Sequence, residues 1–366
     1  MSKIRLMIVD DSLFFRTFLN QKLGGLLSIE IVGSFGDPLE ASRSIAALRP
    51  DVIAIDMEMP KMRGSEFLRT FLPQHPNVKA VVISSLSENV FDAMQAGAID
   101  FVGKPGSRSG YSEDIFIKEI ISKIKIASTA HPRSAVSFTA DRQNPRVSAA
   151  PVAATAASSA AQAASPVRAA LAGVSQKSVI AIGASTGGTE AIIAVIKRFP
   201  ANTPGVVIVQ HMPPVFTKMY AERVDKICAM KVSEAQSGDR VEHGKILIAP
   251  GGDSQMYLRQ DAQGYYVYLQ PGGKVSGHCP SVDVLFDSVA KTAGKSAVGV
   301  ILTGMGADGA AGLANMRKAG AHTIGQDEQS CVVYGMPMEA FKRGGVAEQL
   351  PLDLIGDAVL RRFSGR

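Results

Sequence analysis

The stretch VIAIGASTGGTEAIIAVIK, residues 179–197, sets the reading of the whole chain. Val179–Ile182 is a short apolar run suited to a strand buried on both faces. Gly183, Gly187 and Gly188 permit a tight turn without side-chain crowding, and Thr189–Phe199 then continues as a helix. Strand, glycine turn and helix in succession are the unit of a parallel α/β sheet. The turn leaves the Ser185 hydroxyl at a helix N-terminus, where partial positive charge and free N–H groups favour developing negative charge. The segment satisfies G-x-S-x-G. Taken alone it has other readings: Ser185 or Thr186 as a helix N-cap, or a glycine cradle for phosphate. No Gly-Lys-Ser/Thr follows, which excludes a Walker P-loop.

Outward from this unit the same alternation continues. Strands are expected at Val206–Gln210, Lys245–Ala249, Val298–Thr303 and His322–Gln326, and helices at Lys218–Ala229, Ser281–Ala293, Ala310–Ala319 and Met338–Arg343. A hairpin of Tyr257–Arg259 and Tyr265–Leu269 around Gly264 interrupts them. The strand at Val206 ends in Gln210-His211-Met212-Pro213. A histidine there can reach a serine at the neighbouring strand's end and accept its proton. The strand at Val298 runs into TGMGADG, residues 303–309, where Asp308 can orient an imidazole and backbone N–H groups around Gly304–Gly306 can bind an oxyanion. A structural histidine and a capping aspartate are the plainer readings of each residue singly. Together they give Ser185, His211 and Asp308 at three strand ends. Their order, Ser–His–Asp, differs from the Ser–Asp–His order of α/β-hydrolases. His243 and His322 read as structural; His278, just before the helix at Ser281, is ambiguous between a structural residue and one that lines the cleft.

The N-terminal part carries a second alternating set, with apolar runs at Leu6–Val9, Ile29–Gly33, Val52–Ile55, Val78–Ile83 and Ala98–Val102. Asp10 and Asp11 follow the first run and Asp56 ends the third, so a parallel sheet brings them to one crevice. Three close carboxylates repel unless a cation joins them, and hard oxygen ligands suit Mg²⁺. Ser84 and Lys104, at the ends of the fourth and fifth runs, offer a hydroxyl and an ammonium to a phosphoryl group on Asp56.

The chain has 366 residues, too many for one average domain, and is 46% hydrophobic and 20% charged, a soluble globular composition. No apolar run reaches the ~18 residues of a membrane span, so no membrane insertion is expected. Three distant cysteines, Cys228, Cys279 and Cys331, support neither a disulfide framework nor a zinc site. A cytoplasmic location is expected. The net charge of +6 comes without a DNA-reading motif or clustered basic residues, so no nucleic acid is expected. Residues 149–172 hold 13 alanines with Ser, Pro, Thr and Gln. The wider stretch reads as a flexible linker. The expected organisation is therefore an N-terminal doubly wound domain at 1–126, a linker at 127–176 and a C-terminal, mostly parallel α/β domain with a hairpin at 177–366.

The N-terminal set resembles a two-component receiver, a flavodoxin-like domain of five parallel strands. The chain as a whole is similar to the chemotaxis response-regulator protein-glutamate methylesterase (CheB) family. The stretches that carry this are GASTGG, VQHMP, IAPGG, HCPSVDVLF, TGMGADG and QDEQSCVVYGMP together with the receiver set. The receiver resemblance implies that Asp56 takes phosphate from a histidine kinase of a chemosensory array. It implies Mg²⁺ held by Asp11, Asp56 and the Glu58 carbonyl, with Asp10 acting through water, and switch residues Ser84, Lys104 and Phe101. The family resemblance implies hydrolysis of glutamyl methyl esters on chemoreceptor cytoplasmic domains, releasing methanol, and deamidation of selected glutamines. Ser185 would be the nucleophile, His211 the base, Asp308 its orienting acid, the Met305 amide an oxyanion donor and Thr186 a support of the serine loop, with no cofactor for the ester step. Arg63, Gln255 and Cys279 depart from the family pattern, and the latter two suggest a cleft with fewer basic groups to meet its substrate. A receiver joined to an esterase suggests that the receiver covers the Ser185 cleft until phosphorylated. The rival reading is a phospho-switched signalling adaptor that does not use its esterase domain.

Overall fold

The computed structural model describes residues 2–85, 89–106, 112–130, 175 and 177–363. Most of the stretch read as a linker, residues 131–174, lies outside them.

The first unit is a five-stranded sheet in the order β2-β1-β3-β4-β5, every pairing parallel. Its strands are β1 (Ile4–Val9), β2 (Ile29–Phe35), β3 (Val52–Asp56), β4 (Lys79–Ser84) and β5 (Asp100–Gly103). The helices are α1 (Leu13–Gly24), α2 (Pro38–Leu48), α3 (Gly64–Phe71), α4 (Val90–Gln95) and α5 (Glu113–Thr129). β3 and β4 are buried on both faces, as continuous apolar runs between two helical layers must be. Ser12, Asp37 and Ser112 cap α1, α2 and α5 with their side-chain oxygens. α4 is only six residues long, and α5 continues to Thr129, past the boundary expected at 126. Gly64 starts α3 where a Cβ would lie 2.4 Å from the Asp56 carbonyl oxygen, so the loop carrying Arg63 can close over β3 only with glycine there.

The second unit is a seven-stranded sheet in the order β14-β13-β12-β6-β7-β9-β8, again parallel throughout. Its strands are β6 (Val179–Ala184), β7 (Gly205–Gln210), β8 (Lys231–Glu234), β9 (Lys245–Ile248), β12 (Ala297–Ile301), β13 (His322–Gln326) and β14 (Glu348–Leu350). The antiparallel hairpin β10 (Ser254–Asp261) and β11 (Gly264–Pro271) stands apart from it. The helices are α6 (Gly188–Ile196), α7 (Phe216–Asp225), α8 (Val282–Thr292), α9 (Ala310–Lys318), α10 (Met336–Lys342) and α11 (Leu352–Phe363). The edge strands β8 and β14 and the last helix were not legible from the sequence. β8 and β14 are three or four residues long and carry charge, so neither shows a strand period. α10 begins two residues before the expected start, with Pro337 in its first turn, where a fixed φ and missing N–H cost nothing.

The two units share one apolar core. A single cluster of buried side chains runs from Met7 and Ile53 through Phe91 and Phe101 to Phe216, Tyr220 and Ile192. Ring centroids of Phe101 and Phe216 lie 4.8 Å apart, and those of Phe91 and Tyr220 lie 5.5 Å apart. Arg223 pairs with Asp92 at 3.2 Å on the rim, and the buried Thr186 hydroxyl donates to Asp100 Oδ2 at 2.6 Å.

α8 and α9 cross closely because Gly312 has no side chain. A Cβ there would meet the Phe286 Cβ at 2.7 Å and the Asp283 carbonyl oxygen at 2.9 Å. We expect Gly312→Val to cost about 1–3 kcal/mol by overpacking. A lower urea midpoint at unchanged slope would show it; a wild-type midpoint would contradict it.

Candidate active site

In the second sheet β6 sits between β7 and β12. The chain leaves β6 toward β7 on one side and later leaves β12 toward β13 on the other. That reversal opens a crevice at the C-terminal strand ends. Ser185 follows β6, His211 follows β7 and Asp308 lies in the loop after β12, so the crevice collects all three. Ala184 registers with Gln210, which puts the two following residues side by side, and the His211 amide bonds the Ala184 carbonyl at 3.1 Å. Gln210 is a clamp that sequence reasoning missed: its buried amide donates to the Ser185 and His211 carbonyls at 2.9 and 3.1 Å.

Asp308 is 2% exposed and accepts four hydrogen bonds. Oδ2 takes His211 Nε2 and the Val282 amide, both at 2.8 Å. Oδ1 takes the Ser281 hydroxyl at 2.7 Å and the Asp283 amide at 3.0 Å. Burial pushes its carboxyl up, but the His211 contact and the bonds from Ser281 and Asp283 outweigh this and hold it below the usual carboxylate value. With Nε2 engaged, Nδ1 is the nitrogen left to take a proton, the reverse of the common triad arrangement. It is buried and, among the described residues, without a hydrogen-bond partner. Among the described residues no hydrogen bond joins Ser185 Oγ to His211, a looseness common before substrate binds.

The Ser185 loop is fixed from behind. Its amide donates to the Thr303 carbonyl at 3.0 Å, and the Thr303 hydroxyl donates to the Thr186 carbonyl at 3.0 Å. A Cβ on Gly304 would lie 2.7 Å from the Ser185 Cβ, so glycine is needed for that approach. The Gly304 amide is spent on the Val333 carbonyl, whereas among the described residues the amide of the half-exposed Met305 donates to no protein acceptor. Of these two, the Met305 amide is the one left to meet an oxyanion. Thr186 takes part in bracing the Ser185 loop through its carbonyl, while its side-chain hydroxyl faces the receiver and donates to Asp100. His278, ambiguous from sequence, stacks on His211 with ring centroids 3.6 Å apart and planes within 6°.

The departures read differently in three dimensions. Gln255 is 2% exposed; it donates to the Gly273 carbonyl at 2.9 Å and accepts from the Ser281 amide at 2.7 Å. It braces the loop before α8, and its amide is turned inward rather than to the surface there. Cys279 is half-buried, its thiol toward the Gly272 carbonyl at 3.7 Å, and the exposed Lys274 keeps a positive charge on that rim. Arg63 is exposed at the start of α3.

The first sheet gathers its own set. Asp10, Asp11 and Asp56 offer carboxylate oxygens that all lie within 4.8 Å of one another. Three hard anionic donors at that spacing fit a divalent cation such as Mg²⁺. Lys104 Nζ lies 2.8 Å from Asp10 and 2.6 Å from Asp56. Burial, opposed by Lys104 and aided by the Asp10 charge, holds the Asp56 carboxyl above its usual value. Lys104 is held above its own, because the two carboxylates outweigh burial. Ser84 is fully buried, and its carbonyl accepts from the Lys104 amide at 2.8 Å. The Glu58 amide faces Asp56 Oδ1 at 3.4 Å. Phe101 points into the shared core against Phe216, on the side away from solvent.

A receiver whose sheet abuts an α/β output domain defines the chain as a response regulator. The family model of the response regulator receiver domain matches residues 6–115, and that of the CheB methylesterase matches residues 180–359. A protein-glutamate methylesterase/protein-glutamine glutaminase of Syntrophomonas wolfei is 51% identical over 98% of this chain and 97% of its own length. One from Caulobacter vibrioides is 43% identical over the full length of both. The Thermotoga maritima CheB methylesterase catalytic domain is 35% identical, covering 50% of this chain and 98% of its own, with a TM-score of 0.49. The chain belongs to the CheB methylesterase family. Among the described residues no helix is long and apolar enough to cross a membrane.

Because the folded state holds Asp308 below the unfolded value of about 3.9, its charge adds stability that is full above that pH and is lost as pH falls through the folded value. We expect Asp308→Asn to be less stable than wild type at pH 6–7, with the gap closing as the pH falls below about 4. Urea titrations at several pH values test this; a gap that widened in acid would refute it.

Proposed function

We propose that this protein is a phosphorylation-regulated esterase that hydrolyses glutamyl methyl esters on chemoreceptor cytoplasmic domains and deamidates selected glutamines there. The observation that carries the proposal is the convergence of Ser185, His211 and Asp308 at three adjacent strand ends, with the His211–Asp308 bond already formed. In this reading Ser185 attacks the ester carbonyl while His211 Nδ1 takes its proton. Asp308 stabilises the imidazolium, and the Met305 amide receives the developing oxyanion. His211 returns the proton to methoxide, which leaves as methanol. Water, deprotonated by the same nitrogen, then attacks the acyl-serine, and His211 returns that proton to Ser185 Oγ as the bond to the glutamyl acid breaks. No cofactor is needed for either step.

Asp56 is the proposed phosphate acceptor, fed by a histidine kinase of a chemosensory array. Asp11, Asp56 and the Glu58 carbonyl would hold Mg²⁺, with Asp10 acting through water, and the ion would offset the negative charge of the carboxylate and the phosphoryl group. Lys104 and Ser84 would contact the phosphoryl group, and Phe101 would answer their movement. A cytoplasmic location belongs to this reading, because the proposed substrates are the cytoplasmic domains of receptors.

Regulation by cover is supported by the contacts beside Ser185. Its neighbour Thr186 is bonded to receiver Asp100, and Phe101 packs on Phe216. A phosphate that moved Phe101 would loosen both. Charge reversal of the half-exposed Asp92, which pairs with Arg223, tests this without touching either core. Full-length Asp92→Arg should raise unphosphorylated methanol release several-fold, since about 1.4 kcal/mol shifts a closed–open ratio tenfold. Unchanged release would count against cover by this face.

The central assay is methanol release from methylated receptor membranes with Mg²⁺, with and without a small phosphodonor. Release that rises with phosphodonor in wild type, stays basal in Asp56→Asn and falls by at least about 10³-fold in Ser185→Ala is expected. A Ser185→Ala protein that signals normally in cells would instead favour a phospho-switched adaptor.

A further inference from the structure

Beyond the three proposed catalytic groups, we infer that His278 is a positioning residue for His211, a second imidazole stacked face to face on the base that holds its ring in the plane required by Asp308. The inference rests on the esterase reading above. Its starting point is geometric: centroids 3.6 Å apart and planes within 6° are full face contact. The final torsion of a histidine ring is broad and soft. The Asp308 bond fixes one ring atom and leaves rotation about that contact. Nδ1, which must meet the serine hydroxyl, has no hydrogen bond among the described residues to steer it. A flat neighbour against one face removes the remaining freedom.

The loop that presents His278 is built for rigidity. Val275 and His278 exchange both backbone hydrogen bonds, at 2.9 and 3.0 Å, closing a two-residue turn. Ser276 and Gly277 between them have φ of 51° and 87°, the left-handed values a type I′ turn demands. Ser276 is held there by its hydroxyl, which donates to Asp283 Oδ2 at 3.1 Å. Gln255 ties the loop to β10 on one side and to Ser281 on the other. The departure at 255 thereby acquires a role: its amide fixes the loop from which His278 reaches the base.

The chemistry of the stack fits the same role. Burial, and then the charges of His211, Lys123 and Lys274, push His278 down to about 4 despite the opposing pull of Asp308. Near neutral pH it is uncharged. A neutral ring can lie against an imidazolium and attract it through its π face, whereas a second cation would repel it. His211 can therefore gain and lose its proton without leaving the stack.

Full-length His278→Phe keeps a flat ring that cannot titrate, and His278→Ala removes it. We expect His278→Ala to lower kcat for methanol release about tenfold with KM within about twofold, and His278→Phe to stay within about threefold of wild type. In histidine-labelled protein, NMR should show a ring-current shift of the His211 ring protons that Phe keeps and Ala abolishes. Wild-type kcat in His278→Ala, or equal loss in Ala and Phe with the His211 shift unaltered in both, would overturn the inference. A wild-type protein that releases no methanol would overturn the esterase reading instead, and the ring-current comparison alone would then decide whether position 278 orients His211.

Discussion

The Asp308 carboxylate is the constraint on which the candidate site depends. A buried charge is tolerated only when its lone pairs are filled, and here four donors fill them. Two are backbone amides at the first turn of α8, one is the Ser281 hydroxyl that also caps this helix, and one is the His211 ring. The same carboxylate therefore fixes where α8 begins, how the β12 loop lies and which way the histidine faces. Helix N-terminus and imidazole supply the compensating charge together. The close crossing of α8 and α9 at Gly312 follows, since α9 starts right after the same loop and must lie against the helix that feeds Asp308.

A second buried acid links the domains. Asp100 Oδ2 accepts from both Lys123 of α5 and Thr186 of the serine loop, at 2.5 and 2.6 Å. Lys123 is held above its usual value because Asp100 and Glu119 outweigh its burial. Separating the units would expose the apolar faces of Phe101 and Phe216 and leave the Thr186 hydroxyl to find water. Only the first loss is large, because burial of aromatic surface dominates such contacts and the rim pair Arg223–Asp92 contributes at most about 1 kcal/mol. The joint is held chiefly by apolar contact and aimed by one hydrogen bond.

Strand ends were the legible part of this sequence. Continuous apolar runs gave all five strands of the first sheet and five of the seven in the second, and the residues that follow them gave both candidate sites. The edge strands of the second sheet were not legible, because Lys231–Glu234 and Glu348–Leu350 are short, charged and half-exposed. α11 carries its apolar stripe in a segment rich in Asp and Arg, which masks the helical period. Contacts across elements were beyond reach for another reason. Nothing local marks Gln210 as a clamp, Gln255 as a brace or Asp100 as the partner of Thr186, since each role exists only once distant loops meet. Position 255 illustrates this: residue type alone shows only a departure from the family pattern, while the hydrogen bonds of its buried amide show a brace on the loop before α8.

The short covalent path through β5 has a thermodynamic corollary. Asp100 begins that strand and Lys104 directly follows it, while Thr186 adjoins Ser185, so the two centres are joined by one hydrogen bond and a few residues of rigid backbone. Coupling free energy is reciprocal. If phosphate on Asp56 favours an accessible cleft, then occupancy of the cleft must favour phosphate on Asp56 by the same factor. Receptor bound at the serine would make the receiver a better phosphate acceptor, and the domain that receives the signal would thereby also register whether substrate is in place.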